Sequence, residues 1–426
     1  MHRFNTLALA AALSSTAFAG DFSMPSGVNL ESVPGAGVTA ALTDGTLLYS
    51  TGSFGADALS TRNLDGSFTL FAEGFGSLSG IAQSPVTGQI VVGDSAGAAA
   101  LWLLEDLNRD GDCLDAGENI AHPVQPPMLP SGAVPLPFDI AFRPGTDEFW
   151  MSGSTPFGFE PFQGVLTRTV DGANDLMLDD LGFAAGIAFD GDTLYLGDIA
   201  PDFSSARVLR MDASGGPLAP SDYATGLPGA SGVVRAADGS VYVSGLGSCV
   251  GRLSPDLDND GSADAIETCF LDGFAFSGGL TLVEGPNGFV PGANGDGTLF
   301  VGDFSFAGAR TFRSAPHAAT AVAGAVAQNS KINVTVSGTP GATALYVLSL
   351  DVNGTTIAGI GDLCLGFAGM SLISPLRTLD RNGEAEFQLL FREFPGLVGE
   401  ALVIQGLTLE DGRFGIGNGL DFTFDA

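Results

Sequence analysis

Two acidic stretches carry the side chains of this sequence best suited to chemistry. The first is Pro255–Cys269, PDLDNDGSADAIETC. Counting from Asp256, carboxylates stand at positions 1, 3, 5, 9 and 12 (Asp256, Asp258, Asp260, Asp264, Glu267), Gly261 stands at 6, and the Ser262 carbonyl falls at 7. A hard divalent cation takes about six to eight oxygens, and carboxylates converging across a tight glycine turn supply them. The spacing therefore predicts calcium. The second stretch, DLNRDGDCLDAGE, repeats the first half with Asp106, Asn108, Asp110 and Gly111. Its twelfth position is Gly117 and its glutamate follows at Glu118, so Asp112 and Asp115 are the candidates to complete an oxygen set.

Both stretches sit between strand patterns, LWLLE before one and VGRL before the other, where neighbouring units have a short Asp-Gly turn. Cys249 and Cys269 flank the second loop, on strands close enough in register to predict a cross-hairpin disulfide. Cys113 and Cys364 remain as the other pair that an even count allows, although spacing does not choose among the three connectivities. None of the four forms CxxC, so no zinc or redox motif is indicated.

The chain opens MHRFNTLALAAALSSTAFAG, with basic residues at His2 and Arg3, an apolar run from Leu7 to Leu13, and Ala17-Phe18-Ala19 before Gly20. That is the pattern of a secretory signal peptide (residues 1–19) cleaved near Ala19, and it predicts a secreted, periplasmic or cell-surface protein. No later segment reaches the roughly eighteen apolar residues of a transmembrane helix. The 48 acidic groups against 16 basic ones give a net charge of -32, which excludes phosphate-backbone binding and hence nucleic acid. Low charge density, at 15%, with 62 glycines points to many tight turns between short strands.

Six segments repeat one order of events, an apolar strand, a turn and further strands. They start at Gly37, Ser79, Phe138, Ala185, Ser231 and Ser277, most of them roughly 46 residues apart. Alternation such as Thr193-Leu194-Tyr195-Leu196 fits half-buried strands bounded by Asp-Gly turns. The period predicts an all-β protein with a six-bladed β-propeller over residues 20–313. A small-residue stretch, 314–330, reads as a linker. The strand patterns over 331–426 suit a small β-sandwich.

The fourth unit, DGDTLYLGDIAPDFSSARVLRMDASGG, resembles an NHL-type propeller blade, with Asp198, Arg207, Arg210 and Asp212 in the matching places. The fifth and third units have Ser244 and Ser152 where the aspartate would stand. The resemblance implies the propeller fold and a group that includes binding scaffolds, lactonases and sugar dehydrogenases, so fold does not choose function. The acidic loops resemble EF-hand loops, and the one from Asp106 is also similar to dockerin-like and thrombospondin-like loops. Without flanking helices, a structural brace is expected rather than a calcium switch.

Catalytic motifs are weak by comparison. Gly93-Asp94-Ser95-Ala96-Gly97 is a literal G-x-S-x-G, yet VGD recurs at Leu196-Gly197-Asp198 and Val301-Gly302-Asp303, so it is a repeat position, with the aspartates expected to cap turns. Beyond the signal peptide only His122 and His317 remain as bases. Regucalcin- and gluconolactonase-type lactonases place several Glu, Asn and Asp around a central metal. Here the inner-strand starts offer only Asp139 besides Ser79, Ser231 and Ser277. The expectation is a calcium-stabilised propeller with a binding or extracellular structural role toward a protein or carbohydrate ligand. The alternative is a propeller enzyme, lactonase-like hydrolase or sugar dehydrogenase, working at the central channel.

Overall fold

The computed structural model describes residues 28–425 apart from 34, 64–66, 157, 160–161, 246, 275–276, 285–287, 290–291, 293–294, 304–307, 325, 328, 351–354, 358–360, 364, 366–370, 392–397 and 412. The expected signal peptide and Cys364 lie outside the described residues. Among those described the protein is all-β, without helices, and its strands pair antiparallel.

Four-stranded sheets follow one another along the chain, over 39–75, 78–121, 136–181, 183–227 and 232–272. A further sheet takes Ser277–Val283, Thr298–Asp303 and Ala309–Ser314, and its fourth strand is Val28–Val33 from the other end of the chain. The first strands of these sheets (Thr39–Ala41, Leu78–Gln83, Leu136–Phe142, Phe183–Asp190, Gly232–Arg235, Ser277–Val283) lie one against the next, and the last lies against the first. The sheets thus stand around a common axis as in a propeller.

Second strands such as Ile90–Asp94 and Phe149–Ser154 are buried along their whole length, because apolar clusters pack both faces against neighbouring sheets. Outer strands such as Ala173–Leu181 are largely open to solvent. At the axis the first strands meet backbone to backbone. A Cβ on Gly80 would lie 2.5 Å from the Ile140 nitrogen, one on Gly186 2.3 Å from the Val233 nitrogen, and one on Gly232 2.7 Å from the Leu280 nitrogen.

Beyond Ser314 the stretch expected as a linker carries a strand, Ala318–Ala323, in register with Lys331–Gly338, which in turn pairs with Glu384–Leu390. Alternate residues of that small-residue run are buried, and this is why it can serve as a strand. Thr343–Ser349, Ala401–Glu410 and Arg413–Thr423 form a second sheet, and Ile332, Val334, Tyr346, Phe387, Ile404 and Phe424 fill a shared core. This part is tied to the closing strand. Asn29 donates to the Phe414 carbonyl (2.6 Å) and accepts from the Ile416 amide (3.0 Å), while Arg413 reaches the Gly295 carbonyl (2.6 Å).

The axis packing makes a paired prediction. Gly186→Ala forces a methyl into the neighbouring backbone and is expected to cost about 1–3 kcal/mol. Gly279→Ala meets only Val38 Cγ1 at 3.8 Å and is expected to change stability by less than about 1 kcal/mol. Denaturant titration of the two variants against the parent protein checks it.

Candidate metal loops and the inner ring

Both acidic loops connect the third strand of a sheet to its fourth: Leu101–Leu104 to Asn119–Ala121, and Cys249–Leu253 to Ile266–Asp272. They share one backbone course. Arg109 and Asn259, at the fourth position of each, have φ of 64° and 60°, and Gly111 and Gly261, at the sixth, have φ of 98° and 95°. Asparagine tolerates that left-handed region and glycine occupies it freely, which lets the first, third and fifth side chains turn inward.

In the loop from Asp256, carboxylate oxygens of Asp256, Asp258 and Asp260 come within 4.8 Å of one another. Asp256 accepts the Asp260 amide (3.0 Å) and the Gly261 amide (3.1 Å), and forms an ion pair with Arg210 at 2.7 Å. Desolvation opposes its ionisation, but the Arg210 guanidinium and those amides hold its carboxyl below the usual range. The Ser262 amide donates to Asp260 (2.8 Å), and Asp264 accepts the Leu257 amide (3.3 Å). Glu267 lies on the fourth strand opposite Arg252, exposed and outside the triad of aspartates. Three converging hard-oxygen donors on a glycine turn suit calcium, which fits the donor chemistry better than a nitrogen- or sulfur-seeking ion.

In the loop from Asp106, that carboxylate accepts the Arg109 (2.6 Å), Asp110 (3.2 Å) and Gly111 (3.0 Å) amides. Asn108 links Asp110 (3.0 Å) to Asp115 (2.7 Å). Asp112 turns away to accept the Leu114 amide (3.0 Å). Glu118 is buried and accepts the Leu107, Asn108 and Asp115 amides at 2.9, 3.2 and 3.2 Å, so its displacement by one residue is absorbed by capping the loop from below.

The disulfide between Cys249 and Cys269 is formed, with Cα atoms 5.1 Å apart. Cys113 is a free thiol, which removes the Cys113–Cys364 pairing: its side chain is 1% exposed, in a core with Phe71, Phe75 and Leu104. Burial, reinforced by Glu118, Asp106, Asp112 and Asp110, pushes the thiol up to about 12, so it is protonated and inert at neutral pH.

Two of the repeated aspartates, Asp94 and Asp198, cap turns as expected, while the side chain of Asp303 lies outside those described. Asp94 accepts the Gly76 and Ser77 amides at 2.8 Å each, and Asp198 accepts Gly182 at 2.9 Å and pairs with Arg207 at 2.8 Å. Ser95 donates to the Ser77 carbonyl (3.3 Å) within this turn, and His122 is held by Val124, its ring edge against Phe149. No nucleophile–base pair results.

At the inner ring, Gly80, Gly186, Gly232 and Gly279 each precede the residue (Ile81, Ile187, Val233, Leu280) that pairs with the second strand. In the sheet of 136–181 the same place is Asp139, before Ile140. Its carboxylate accepts the Ile187 amide of the next sheet (3.0 Å) and its own neighbour's, Ile140 (2.9 Å). Protein surrounds the carboxylate closely, although the residue keeps part of its surface open. Burial pushes its carboxyl up to about 7 against the pull of those two amides. Ser231 and Ser277 are engaged, with Ser244 (3.1 Å) and with the Gly247 and Cys249 carbonyls (3.0 and 3.1 Å). Ser79 Oγ is buried with no hydrogen-bond partner, beside Gly93 and Pro137. The charge environment of Asp139, set by the strand of the next sheet, was not legible in the sequence.

No family model and no curated protein matches this chain. Solved structures are similar to it in fold. They include a gluconolactonase from Xanthomonas campestris (17% identity, 67% of this chain and 89% of that one, TM-score 0.48). Others are a regucalcin described as a calcium-binding protein, from Agrobacterium tumefaciens (17%, 68% and 94%, 0.47), and the PQQ-bound aldose sugar dehydrogenase of Streptomyces coelicolor (16%, 68% and 99%, 0.47). The propeller arrangement itself rests on this chain's own sheets, whose first strands lie each against the next around one axis. The expected non-catalytic binding or structural role is corrected at this point: the gluconolactonase, the aldose sugar dehydrogenase and a luciferin-regenerating enzyme are enzymes, in line with the enzymatic alternative. The likeness itself is one of fold, so the chemistry of this chain rests on its own residues.

Two predictions follow from this geometry. Cys249→Ala with Cys269→Ala is expected to destabilise the protein by about 3 kcal/mol, the loop-closure value for a ring of this size, as read by thermal unfolding with and without reductant. Asp139 binds its proton more tightly folded than unfolded, so its contribution to stability is full at about pH 4 and is lost as pH rises through about 7. The stability difference between parent protein and Asp139→Asn should therefore shrink by more than about 1 kcal/mol from pH 5 to pH 8.

Proposed function

We propose that this chain is an exported six-bladed propeller (residues 20–313) carrying a C-terminal β-sandwich (331–426), and that it is a lactonase-like hydrolase working at its inner ring. The observation that carries the reading is Asp139, a carboxylate at a ring position that is glycine in four other sheets, titrating near neutrality. A general base is most effective with a pKa near the working pH. As carboxylate, Asp139 would take a proton from water while that water's oxygen attacks the carbonyl carbon of a cyclic ester. The ring C–O bond then breaks, and the leaving alkoxide recovers the proton. The Ile187 and Ile140 amides orient the carboxylate for this exchange.

The sugar dehydrogenase reading has less support. His122 is engaged with Val124, and Arg62, Arg143, Arg168, Arg207, Arg210, Arg235 and Arg252 are all in ion pairs. A carbohydrate-derived lactone suits an acidic, exported protein as substrate, since a neutral ring ester is not repelled by its charge. The acidic loops, read as EF-hand- and dockerin-like and the repeat as NHL-like, would hold calcium as a brace: Asp256, Asp258, Asp260 and the Ser262 carbonyl in one, with Asp264 and Glu267 as outer candidates, and Asp106, Asn108, Asp110 and Asp115 in the other. Among the described residues no helix is long and apolar enough to cross a membrane.

The test is a panel of sugar lactones followed by proton release. Hydrolysis should rise with pH through about 7, and Asp139→Asn should lower kcat at least about 100-fold. Absence of hydrolysis across the panel, or a variant as active as its parent, would overturn the reading. For the brace, calcium but not magnesium should raise the melting temperature over that in EGTA, and Asp256→Asn with Asp106→Asn should abolish the rise. An unchanged melt in calcium would make both loops plain acidic turns.

A further inference from the structure

The two acidic loops do not stand free in solvent: each reaches back across a seam to the sheet before its own. In the loop from Asp106 the eighth residue, Cys113, donates its amide to the Phe71 carbonyl at 2.7 Å. In the loop from Asp256 the eighth residue, Ala263, donates to the Tyr223 carbonyl at 2.9 Å. Phe71 and Tyr223 are equivalent, on the outer strands Phe68–Phe75 and Ser221–Leu227, whose ends read FAEGF and YATGL with glycine at positive φ in each (Gly74 98°, Gly226 69°). The same backbone bond is thus made twice, by loops of different sequence, three sheets apart.

Further contacts cross the same seams. The Cys113 side chain is buried among Phe71, Ala72 and Phe75 of the preceding sheet, and Asn119, just after the loop, donates to the Glu73 carbonyl at 2.7 Å. At the other seam Arg210 of the preceding sheet meets Asp256 at 2.7 Å, the Tyr223 hydroxyl donates to the Ser254 carbonyl at 2.8 Å, and Ala263 packs against the cluster that holds Tyr223, Ala224 and Leu227.

We infer that the two loops are matched staples, each locking the outer edge of its sheet to the outer strand of the sheet before it. The inner ring holds the sheets together at the axis, where glycines let backbones touch, but the sheets splay apart toward the rim. A contact at the rim has the longest lever against hinging about the axis. With the staples in the second and fifth sheets of a six-sheet ring, the two locked seams lie on opposite sides. This inference uses only contacts within the chain and does not depend on whether the loops take calcium or whether the ring is catalytic.

Cys113 is a built-in reporter of the first staple, because its thiol is reachable only when the loop lifts. In a full-length Cys364→Ser background, labelling of Cys113 by a neutral maleimide should be at least about 100-fold slower than that of an exposed thiol. Glu118→Gln, which weakens the caps on the Leu107, Asn108 and Asp115 amides, should speed it at least 10-fold. For the second staple, Ala263→Cys should give a second slowly labelled thiol, and adding Arg210→Gln should speed that one while leaving Cys113 unchanged. Rapid labelling of Cys113 in the parent protein, or acceleration of both thiols by Arg210→Gln, would overturn independent staples. Should a variant fail to fold, hydrogen exchange on the parent protein decides: Cys113 and Ala263 amides protected like the strands they join support the inference. Exchange as fast as that of the exposed Phe54 and Met128 would sink it.

Discussion

The contact on which the rest of the structure depends is backbone against backbone at the axis. Where Gly80 meets Ile140, Gly186 meets Val233 and Gly232 meets Leu280, there is no room even for a methyl group. Sheets that touch so closely at their first strands must diverge outward, and the wedges between them are filled by apolar and aromatic side chains. Tyr195, Tyr223 and Phe183 fill one such wedge, and Tyr242, Phe270, Phe289 and Phe312 another. Hydroxyls reinforce the inner seams, with Ser152 donating to the Ala185 carbonyl, Ser244 to the Gly278 carbonyl and Thr281 to the Thr39 carbonyl. Each of these satisfies a buried carbonyl of the adjacent sheet without needing charge.

Against that background Asp139 is the exception. A carboxylate placed where other sheets have glycine must either lose its charge or find donors, and it does some of both: two backbone amides face it, and burial still raises its pKa to about 7. A buried carboxylate at a ring position that is glycine in four other sheets and valine, Val38, in the remaining one is the kind of departure that function explains more economically than stability. A glycine there, as in four of the other sheets, would have closed the seam with less desolvation.

What the sequence made legible was local. Strand alternation, Asp-Gly turns and the repeat of VGD needed only near neighbours, and so did the disulfide, since Cys249 and Cys269 flank one hairpin. The ring closure was not legible, because Val28–Val33 pairs with Ala309–Ser314 across the full run of intervening sheets and nothing in VNLESV marks its partner. The segment Ala318–Ala323 reads as a linker because alanine and threonine give a faint alternation, and it becomes a strand only through pairing with Lys331–Gly338. The acidic spacing located both loops, yet it could not tell that Glu118 would be drawn beneath its loop or that Glu267 would stay on the strand surface. Those outcomes turn on how each hairpin meets the sheet before it.

The two loops also solve one electrostatic problem in two ways. Three or more carboxylates on a few residues repel each other, at roughly 1 kcal/mol per pair even at 4 Å in water and more where solvent is thinned. The loop from Asp256 has aspartate at its third position and meets the excess with Arg210, supplied from the neighbouring sheet. In the loop from Asp106 that aspartate forms no ion pair among the described residues; asparagine stands at its third position and donates to Asp110 and Asp115 at once. Its glutamate is withdrawn into the protein under three amides. One loop thus borrows a positive charge across a seam, and the other lowers its own negative charge. The first solution makes loop order depend on the neighbouring sheet's charge, and the second makes it depend on the neighbouring sheet's core, where Cys113 is buried. In both, the local problem of holding like charges together is resolved by attachment to the sheet before, so an acidic rim on a protein of net charge -32 becomes a source of cohesion between sheets.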